Sequence, residues 1–226
     1  MGNGVDLDRF DPEAVDPDAR AAARAAWGVG PDAVVIGAVG RMVAEKGWRE
    51  LFAAVAALRA EGRDVTLVAI GPADPDKPDA LTEAELGAAR ADGIVLPGWQ
   101  EEIERIYPGM DLFCLPSWRE GFPRAAMEAA AMGLPIVATD VRGCRQVVAD
   151  GVTGTLVPAR DTEALTTAIR VRAEIAERRE LAPDCGVLEG ELVGLDEINQ
   201  HAVVEREGRN AFRVTPVDKV RYVCVV

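Results

Sequence analysis

The chain has 226 residues, of which 49% are hydrophobic, 28% are charged and 5% are aromatic, and this globular composition excludes a disordered or collagen-like protein. Its 38 acidic residues outnumber its 25 lysines and arginines, so the formal net charge is −13 and a general nucleic-acid-binding surface is excluded. An anionic ligand would therefore need a local group of cations.

Short apolar segments alternate with helical patterns along most of the chain. Predicted strands cover residues 33–39, 64–70, 93–97, 111–115, 134–138 and 154–157. Predicted helices cover residues 47–59, 82–90, 123–132 and 144–148, with a helical turn or two at 100–107 and a last helix after Asp161. Strands without polar alternation are typical of a parallel sheet buried on both faces. The pattern therefore predicts an α/β fold with a doubly wound, mostly parallel, Rossmann-like sheet.

Residues 171–226 break this alternation. Proline and glycine are closely spaced between residues 183 and 194, whereas residues 210–214 and 220–226 alternate as strands do. We predict a Rossmann-like domain at residues 1–170, followed by an irregular or β-rich C-terminal appendage.

Few residues in the sequence suit metal or nucleophilic chemistry. The four cysteines lack metal-type spacing, and we interpret them as reduced thiols. A Ser-His-Asp triad or a histidine-based metal site would depend on the single histidine, His201. The N-terminus does not resemble a signal peptide, and no apolar segment approaches the roughly 18 residues of a membrane span. We expect a cytoplasmic protein with no transmembrane segment, no metal site and no nucleic-acid partner.

The first group of candidate functional residues follows the first predicted strand, in the segment GRMVAEKG. Gly40 permits a sharp turn, and Arg41 and Lys46 supply two cations. Ligands of such sheets bind beyond the carboxyl ends of the strands. We interpret the pair as a diphosphate-binding site. The alternative is a solvated loop in which Lys46 pairs with Glu45 or Glu50.

The second group lies in the segment PSWREGFPRAAMEAAAMGLP, which follows the fourth predicted strand. Pro123 suits the first position of a helix, so the free N–H groups near Gly121, Phe122 and Arg124 would form an anion site. Glu120 precedes this helix, and Glu128 lies about 7.5 Å along the helix axis from Pro123. One carboxylate can then meet a ligand at its phosphate end and the other further along. The alternative is an amphipathic helix with two exposed glutamates.

In these segments the chain resembles the C-terminal, donor-binding half of a retaining glycosyltransferase of family four, the glycogen-synthase-like group with the two-domain GT-B fold. The resemblance rests on the segments at residues 3–12, 40–47 and 98–161. Its most specific feature is a pair of glutamates separated by seven residues, Glu120 and Glu128.

The resemblance implies a role for each matching position. Arg41 and Lys46 match the pair that holds the donor diphosphate and stabilises it as it leaves, and Glu120 matches the glutamate beside the donor sugar. These three are the implied catalytic residues. The implied donor-binding residues are Gly40, Gly98, Trp99, Gly121, Phe122, Pro123 and Glu128. Among them, Glu128 matches the glutamate that binds the ribose hydroxyls, and Gly98 and Trp99 belong to the segment that lies against the base.

The resemblance also implies the reaction, which is transfer of a sugar from a nucleotide diphosphate sugar to an acceptor with retention, in bacterial polysaccharide or glycolipid synthesis. No cofactor or metal is expected. The family binds its acceptor with a first Rossmann-like half that this chain lacks, and His201 does not replace the active-site histidine of that half. The alternative is therefore an incomplete or trans-acting nucleotide-binding module that is inactive without a separate acceptor-domain chain. A peripheral membrane role would also depend on that missing domain.

A third interpretation is a hydrolase that uses Glu120 and Glu128 as a carboxylate pair. Retaining glycosidases place two carboxyl groups roughly 5–5.5 Å apart across the scissile bond. Glu128 lies inside a helix whose N-terminus suits a phosphate group, and a glycosidase carboxylate is not expected in that position. The hydrolase interpretation is therefore disfavoured.

Overall fold

A parallel sheet of six strands forms the centre of the computed structural model, which describes the backbone of residues 4–181, 202–206 and 212–216 and the side chains of residues 4–176. Its strands in chain order are β1 (Val34–Val39), β2 (Val65–Ile70), β3 (Val95–Gly98), β4 (Leu112–Leu115), β5 (Ile136–Thr139) and β6 (Gly154–Val157). Their order across the sheet is β3-β2-β1-β4-β5-β6, and the neighbours pair in parallel. This is the doubly wound order, which reverses between β1 and β4.

Helices cover both faces of the sheet. They are α1 (Ala19–Trp27), α2 (Trp48–Ala60), α3 (Glu83–Ala91), α4 (Arg124–Ala131) and α5 (Thr162–Leu181). Buried residues of α2, α3 and α5 form one apolar cluster with the sheet, and buried residues of α4 form a second cluster that includes Phe10 and Tyr107. Neighbouring residues of β1 enter different clusters, Val35 the second and Ile36 the first, because successive side chains of a strand point to opposite faces. The predicted fold class is confirmed.

The predicted strands and the helices predicted at 47–59, 82–90 and 123–132 agree with the structure to within about two residues. The helix predicted at 144–148 is a short 3₁₀ turn at Cys144–Gln146, and the helical turns predicted at 100–107 are 3₁₀ turns at Ile103–Arg105 and Tyr107–Gly109. Helix α1 was not predicted, because its segment ARAAARAAW is rich in alanine and lacks a stripe of large apolar residues. The sequence signal for α1 was a run of strong helix formers followed by a glycine. In the structure this glycine, Gly28, ends the helix with a φ of +67°. Helix α4 differs in a detail, since Pro123 occupies its N-cap rather than its first helical position.

Two further strands lie in the C-terminal part. Strand β7 (Ala202–Arg206) pairs antiparallel with β8 (Phe212–Pro216) in a separate two-stranded sheet. The strand predicted at 210–214 overlaps β8, whereas the one predicted at 220–226 lies outside the described residues, as does His201. The domain boundary at residue 170 stays a prediction, and helix α5 continues through it. Among the described residues, no helix is both long and apolar enough to span a membrane.

Candidate active site

The candidate site lies where β1 and β4 end, at the point where the strand order reverses. The segment that follows β1 begins with Gly40, whose N–H donates to the carbonyl of Ile70 at 2.9 Å. The segment that follows β4 begins with Pro116, beside Gly47. Gly47 has a φ of +75°, and a Cβ there would overlap the carbonyl oxygen of Pro116. Only glycine lets these two loops approach so closely.

Lys46 and Glu120 meet across this gap. The Nζ of Lys46 lies 2.6 Å from the Oε1 of Glu120, and the two side chains are only 21% and 10% exposed. The alternative in which Lys46 pairs with Glu45 or Glu50 is therefore wrong. The backbone of Glu120 is also fixed, because its carbonyl accepts a hydrogen bond from the N–H of Gly143 at 3.2 Å.

Arg41 lies on the same loop as Lys46 but contacts different carboxylates. Its Nη1 is 2.8 Å from the Oδ2 of Asp74, and its Nη2 is 3.8 Å from the Oε1 of Glu45. Its side chain is 43% exposed, so the guanidinium is open to solvent. The structure therefore brings Lys46 to Glu120 directly and holds Arg41 beside Asp74.

The segment after Glu120 leads into helix α4. Gly121 is exposed, Phe122 is half-buried against the apolar cluster around α4, and Pro123 is buried. The N–H of Arg124 was also predicted to be free, but it donates to the carbonyl of Phe122 at 3.0 Å. Among the described residues, the N–H groups of Gly121 and Phe122 have no hydrogen-bond partner. These N–H groups and the positive end of the helix dipole make this segment suited to an anion.

Glu128 lies in the middle of α4 and is held by Tyr107. The hydroxyl of Tyr107, a fully buried residue, donates to the Oε2 of Glu128 at 3.0 Å. Burial raises the pKa of the Glu128 carboxyl above its ordinary value, and the Tyr107 hydroxyl opposes that shift. The alternative of an amphipathic helix with two exposed glutamates is wrong, because Glu128 is half-buried and Glu120 is nearly covered. Glu120 contacts Lys46 whereas Glu128 contacts Tyr107, and these different partners do not favour the hydrolase interpretation, in which the two carboxylates act as a pair.

Gly98 and Trp99 lie at the same edge of the sheet, two strands away from β1. Gly98 ends β3 with a φ of +78°, and its carbonyl accepts a hydrogen bond from the N–H of Gly71 at 2.9 Å. Trp99 follows and is 64% exposed. The flat indole ring of Trp99 is therefore accessible to a ligand at this edge of the sheet.

Sequence reasoning missed two residues of this region. Asp74 lies between a predicted strand and a predicted helix and was not singled out, and Tyr107 only ends the helical turns predicted at residues 100–107. The loop of Asp74 directly follows the strand beside β1, which was the available signal. Tyr107 had no comparable signal, because its contact with Glu128 joins residues 21 positions apart. Within residues 4–176, no three or more histidine, cysteine, aspartate or glutamate side chains form a group that could hold a metal ion.

Three comparisons place the chain among known proteins. The family model described as glycosyl transferases group 1 matches residues 33–173. A D-inositol 3-phosphate glycosyltransferase of Saccharomonospora viridis is 40% identical over 187 residues, which cover 79% of this chain and 42% of that protein. The protein of the same name from Mycobacterium sp. strain KMS is 42% identical over 164 residues, which cover 70% of this chain and 35% of that protein.

A solved structure, Anabaena Alr3699/HepE in complex with UDP-glucose, superimposes with a TM-score of 0.67 and 25% identity. The match covers 81% of this chain and 52% of that one. The chain thus spans less than half the length of the two curated relatives and about half that of the solved structure.

Proposed function

This chain belongs to the glycosyl transferases group 1 family, and from that premise we propose that residues 1–170 bind the donor of a sugar-transfer reaction. The donor is a nucleoside diphosphate sugar, and the sugar passes to an acceptor with retention of its anomeric configuration. The observation that carries this proposal is the contact of 2.6 Å between Lys46 and Glu120. It places a cation and a carboxylate where the sheet order reverses, which is where ligands of doubly wound sheets bind.

The cations act on the leaving diphosphate. Negative charge develops on its oxygens as the bond to the sugar breaks, and Lys46 and Arg41 neutralise part of it. The free N–H groups of Gly121 and Phe122 add to this stabilisation. The proposal includes no cofactor, because these groups of the chain supply the positive charge.

The two glutamates bind the hydroxyl groups at the two ends of the donor. Glu120 lies beside the cation that holds the diphosphate, so its carboxylate accepts hydrogen bonds from the sugar hydroxyls. Glu128 lies further along α4 and accepts those of the ribose. Gly98 and Trp99 then lie against the base. Uracil is the first base to test, since the Anabaena structure carries UDP-glucose.

The acceptor is proposed from the resemblance and from the relatives. The resemblance favours a role in polysaccharide or glycolipid synthesis. The curated relatives carry the name of an inositol phosphate acceptor, which makes D-inositol 3-phosphate a second acceptor to test. We place the protein in the cytoplasm, where nucleotide sugars of such pathways are used.

The experiment is a calorimetric titration of the purified chain with UDP-, GDP- and ADP-sugars. Lys46→Ala should weaken binding of the preferred donor by at least about tenfold, since a charge-assisted contact contributes roughly 1.5–3 kcal/mol. Lys77→Ala is the matched control, because Lys77 is exposed on a loop and should leave binding unchanged. If no nucleotide sugar binds at millimolar concentration while the chain is folded, the proposal fails.

A second proposal concerns turnover. The chain spans less than half the length of its curated relatives, so we propose that transfer needs an acceptor-binding part in addition to these residues, on the same or on a separate polypeptide. Rate enhancement depends largely on holding both reactants in place, and one wall of a cleft holds only one of them. The chain alone should bind the donor without transferring the sugar, and robust transfer by the isolated chain would contradict this second proposal.

A further inference from the structure

The loop that follows β2 is attached to the loop that carries Arg41. The N–H of Met42 donates to the carbonyl of Pro72 at 3.0 Å, and the N–H of Ala44 donates to the carbonyl of Asp79 at 2.7 Å. These two hydrogen bonds lie on either side of Asp74 in the second loop. The backbone that carries Asp74 is therefore attached to the loop that carries Arg41.

The cations of the proposed diphosphate site are already paired with carboxylates. Arg41 and Lys46 are the two cations, and both contact carboxylates of this chain. Arg119 pairs with Glu45, so three cations stand against the three carboxylates of Asp74, Glu45 and Glu120, and these six groups carry no net charge. A diphosphate can reach either cation only by replacing or sharing one of these partners.

The three carboxylates differ in how firmly they are held. Glu120 is 10% exposed, and its backbone is fixed by a hydrogen bond from the loop that follows β5. Glu45 lies at 3.8 Å from Arg41 and is shared with Arg119 at 3.0 Å. Asp74 makes the short contact with Arg41 and is 25% exposed at the mouth of the site. Its contact is the one that a phosphate group can most readily replace.

We propose that Asp74 competes with the phosphates of the donor for the guanidinium of Arg41 and thereby sets the affinity of the site for nucleoside diphosphates. This inference rests on the proposed function. Carboxylate and phosphate both bind the same fork of guanidinium N–H groups, so occupation by one excludes or weakens the other. A carboxylate that stays beside the bound phosphate also repels it.

The test first measures binding of UDP, GDP and ADP to the full chain by calorimetry. The nucleotide that binds most tightly is then used to compare the variants. Asp74→Asn should strengthen binding by about three- to tenfold, and the gain should shrink at high salt because the pair is partly exposed. Asp76→Asn is the matched control. It removes the same charge from an exposed position of the same loop, and no contact between Asp76 and Arg41 is found among the described side chains.

A double-mutant cycle assigns the effect to Arg41. In an Arg41→Ala background the gain from Asp74→Asn should fall to less than about twofold, because the contested cation is gone. Weaker or unchanged binding in Asp74→Asn, or an equal gain in Asp76→Asn, overturns the inference and leaves the proposed function standing. If neither the parent chain nor any variant binds a nucleoside diphosphate, while thermal unfolding shows that all are folded, both proposals fail.

Discussion

The carboxyl group of Glu128 is subject to two opposing influences. Burial raises its pKa and is the largest effect, whereas the Tyr107 hydroxyl and the charges of Arg124 and Arg9 lower it. The pKa of Glu128 is therefore higher in the folded chain than in the unfolded chain. The stability that the neutral carboxyl contributes is fully present below the unfolded pKa, and it is lost as the pH rises through the folded pKa. At neutral pH the ionised group therefore opposes folding.

We expect Glu128→Gln to raise the free energy of unfolding at pH 7 and to leave it nearly unchanged at pH 4. Glutamine keeps an acceptor for the Tyr107 hydroxyl but carries no charge to desolvate. The same variant should bind the nucleotide more weakly, because a neutral oxygen is a poorer acceptor for ribose hydroxyls. Urea unfolding at the two pH values checks the first result, and lower stability at pH 7 would contradict it.

Arg160 combines an unfavourable backbone conformation with a favourable side-chain contact. Its φ is +64°, the one positive value for a residue other than glycine in the part of the chain that the structure describes. Its guanidinium lies 4.0 Å from the centre of the Trp118 ring. Left-handed backbone costs about 1–2 kcal/mol and an exposed cation–π contact contributes about 0.5–1 kcal/mol.

Comparison of Arg160→Ala with Arg160→Gly separates the two effects. Both variants lose the contact with Trp118, but only glycine also relieves the backbone strain. We expect the alanine variant to be less stable than the glycine variant by about 1 kcal/mol in urea unfolding. Equal stability of the two variants would show that the positive φ carries no strain.

The loops after β1 and β4 form the site only because they can touch at Gly47. The glycine ends a short 3₁₀ turn and directly precedes α2, so the turn that positions Lys46 and the start of the helix share one residue. A side chain there would force Pro116 away and open the gap that Lys46 and Glu120 bridge. Gly47 thus allows the two loops to pack together and at the same time sets the geometry of the site.

Gly47→Ala should therefore destabilise the chain by about 3 kcal/mol or more, through left-handed strain and overlap with Pro116. Gly62→Ala is the matched control, because Gly62 has a φ of +84° but nothing within 4 Å of a Cβ. It should cost only the strain, about 1–2 kcal/mol. Chemical unfolding measures both, and equal losses would mean that the two loops move apart without penalty.

Asp111 joins three parts of the molecule. Its Oδ2 accepts from Arg24 of α1 at 2.6 Å and from the backbone N–H of Val35 in β1 at 2.6 Å, and its Oδ1 accepts from Arg20 at 2.6 Å. Arg24 is only 3% exposed, and its guanidinium also donates to the carbonyls of the loops around it. The N-terminal segment is thereby attached to the centre of the sheet.

Asp111→Ala should reduce the free energy of unfolding by about 3–5 kcal/mol, because it leaves a buried guanidinium without its counter-ion. Glu104→Ala is the control. It breaks the pair with Arg9, whose side chain is 45% exposed, and should cost less than about 1 kcal/mol. Urea unfolding of both variants decides the comparison, and similar losses would mean that the buried cluster does not attach α1 to the sheet.

Much of this molecule can be read from short segments of its sequence. Apolar runs that end in glycine or proline predict buried parallel strands, and the carboxyl ends of such strands must meet at one edge of the sheet. That rule was enough to place Lys46 and Glu120 in one site, although 74 positions separate them. Helix α1 was missed because the contrast between its faces comes from arginines among alanines and not from a stripe of large apolar side chains.

The partners of the charged residues could not be read in this way. Local spacing suggested Glu45 or Glu50 for Lys46, whereas folding places Glu120 there, and Arg41 meets Asp74, which is 33 positions distant. A sequence pattern reports which residues share a helix face or a strand, since these lie within a few positions of one another. Which loops touch depends on strand order and on single close approaches such as that of Gly47 to Pro116, and these arise only when the whole chain is packed.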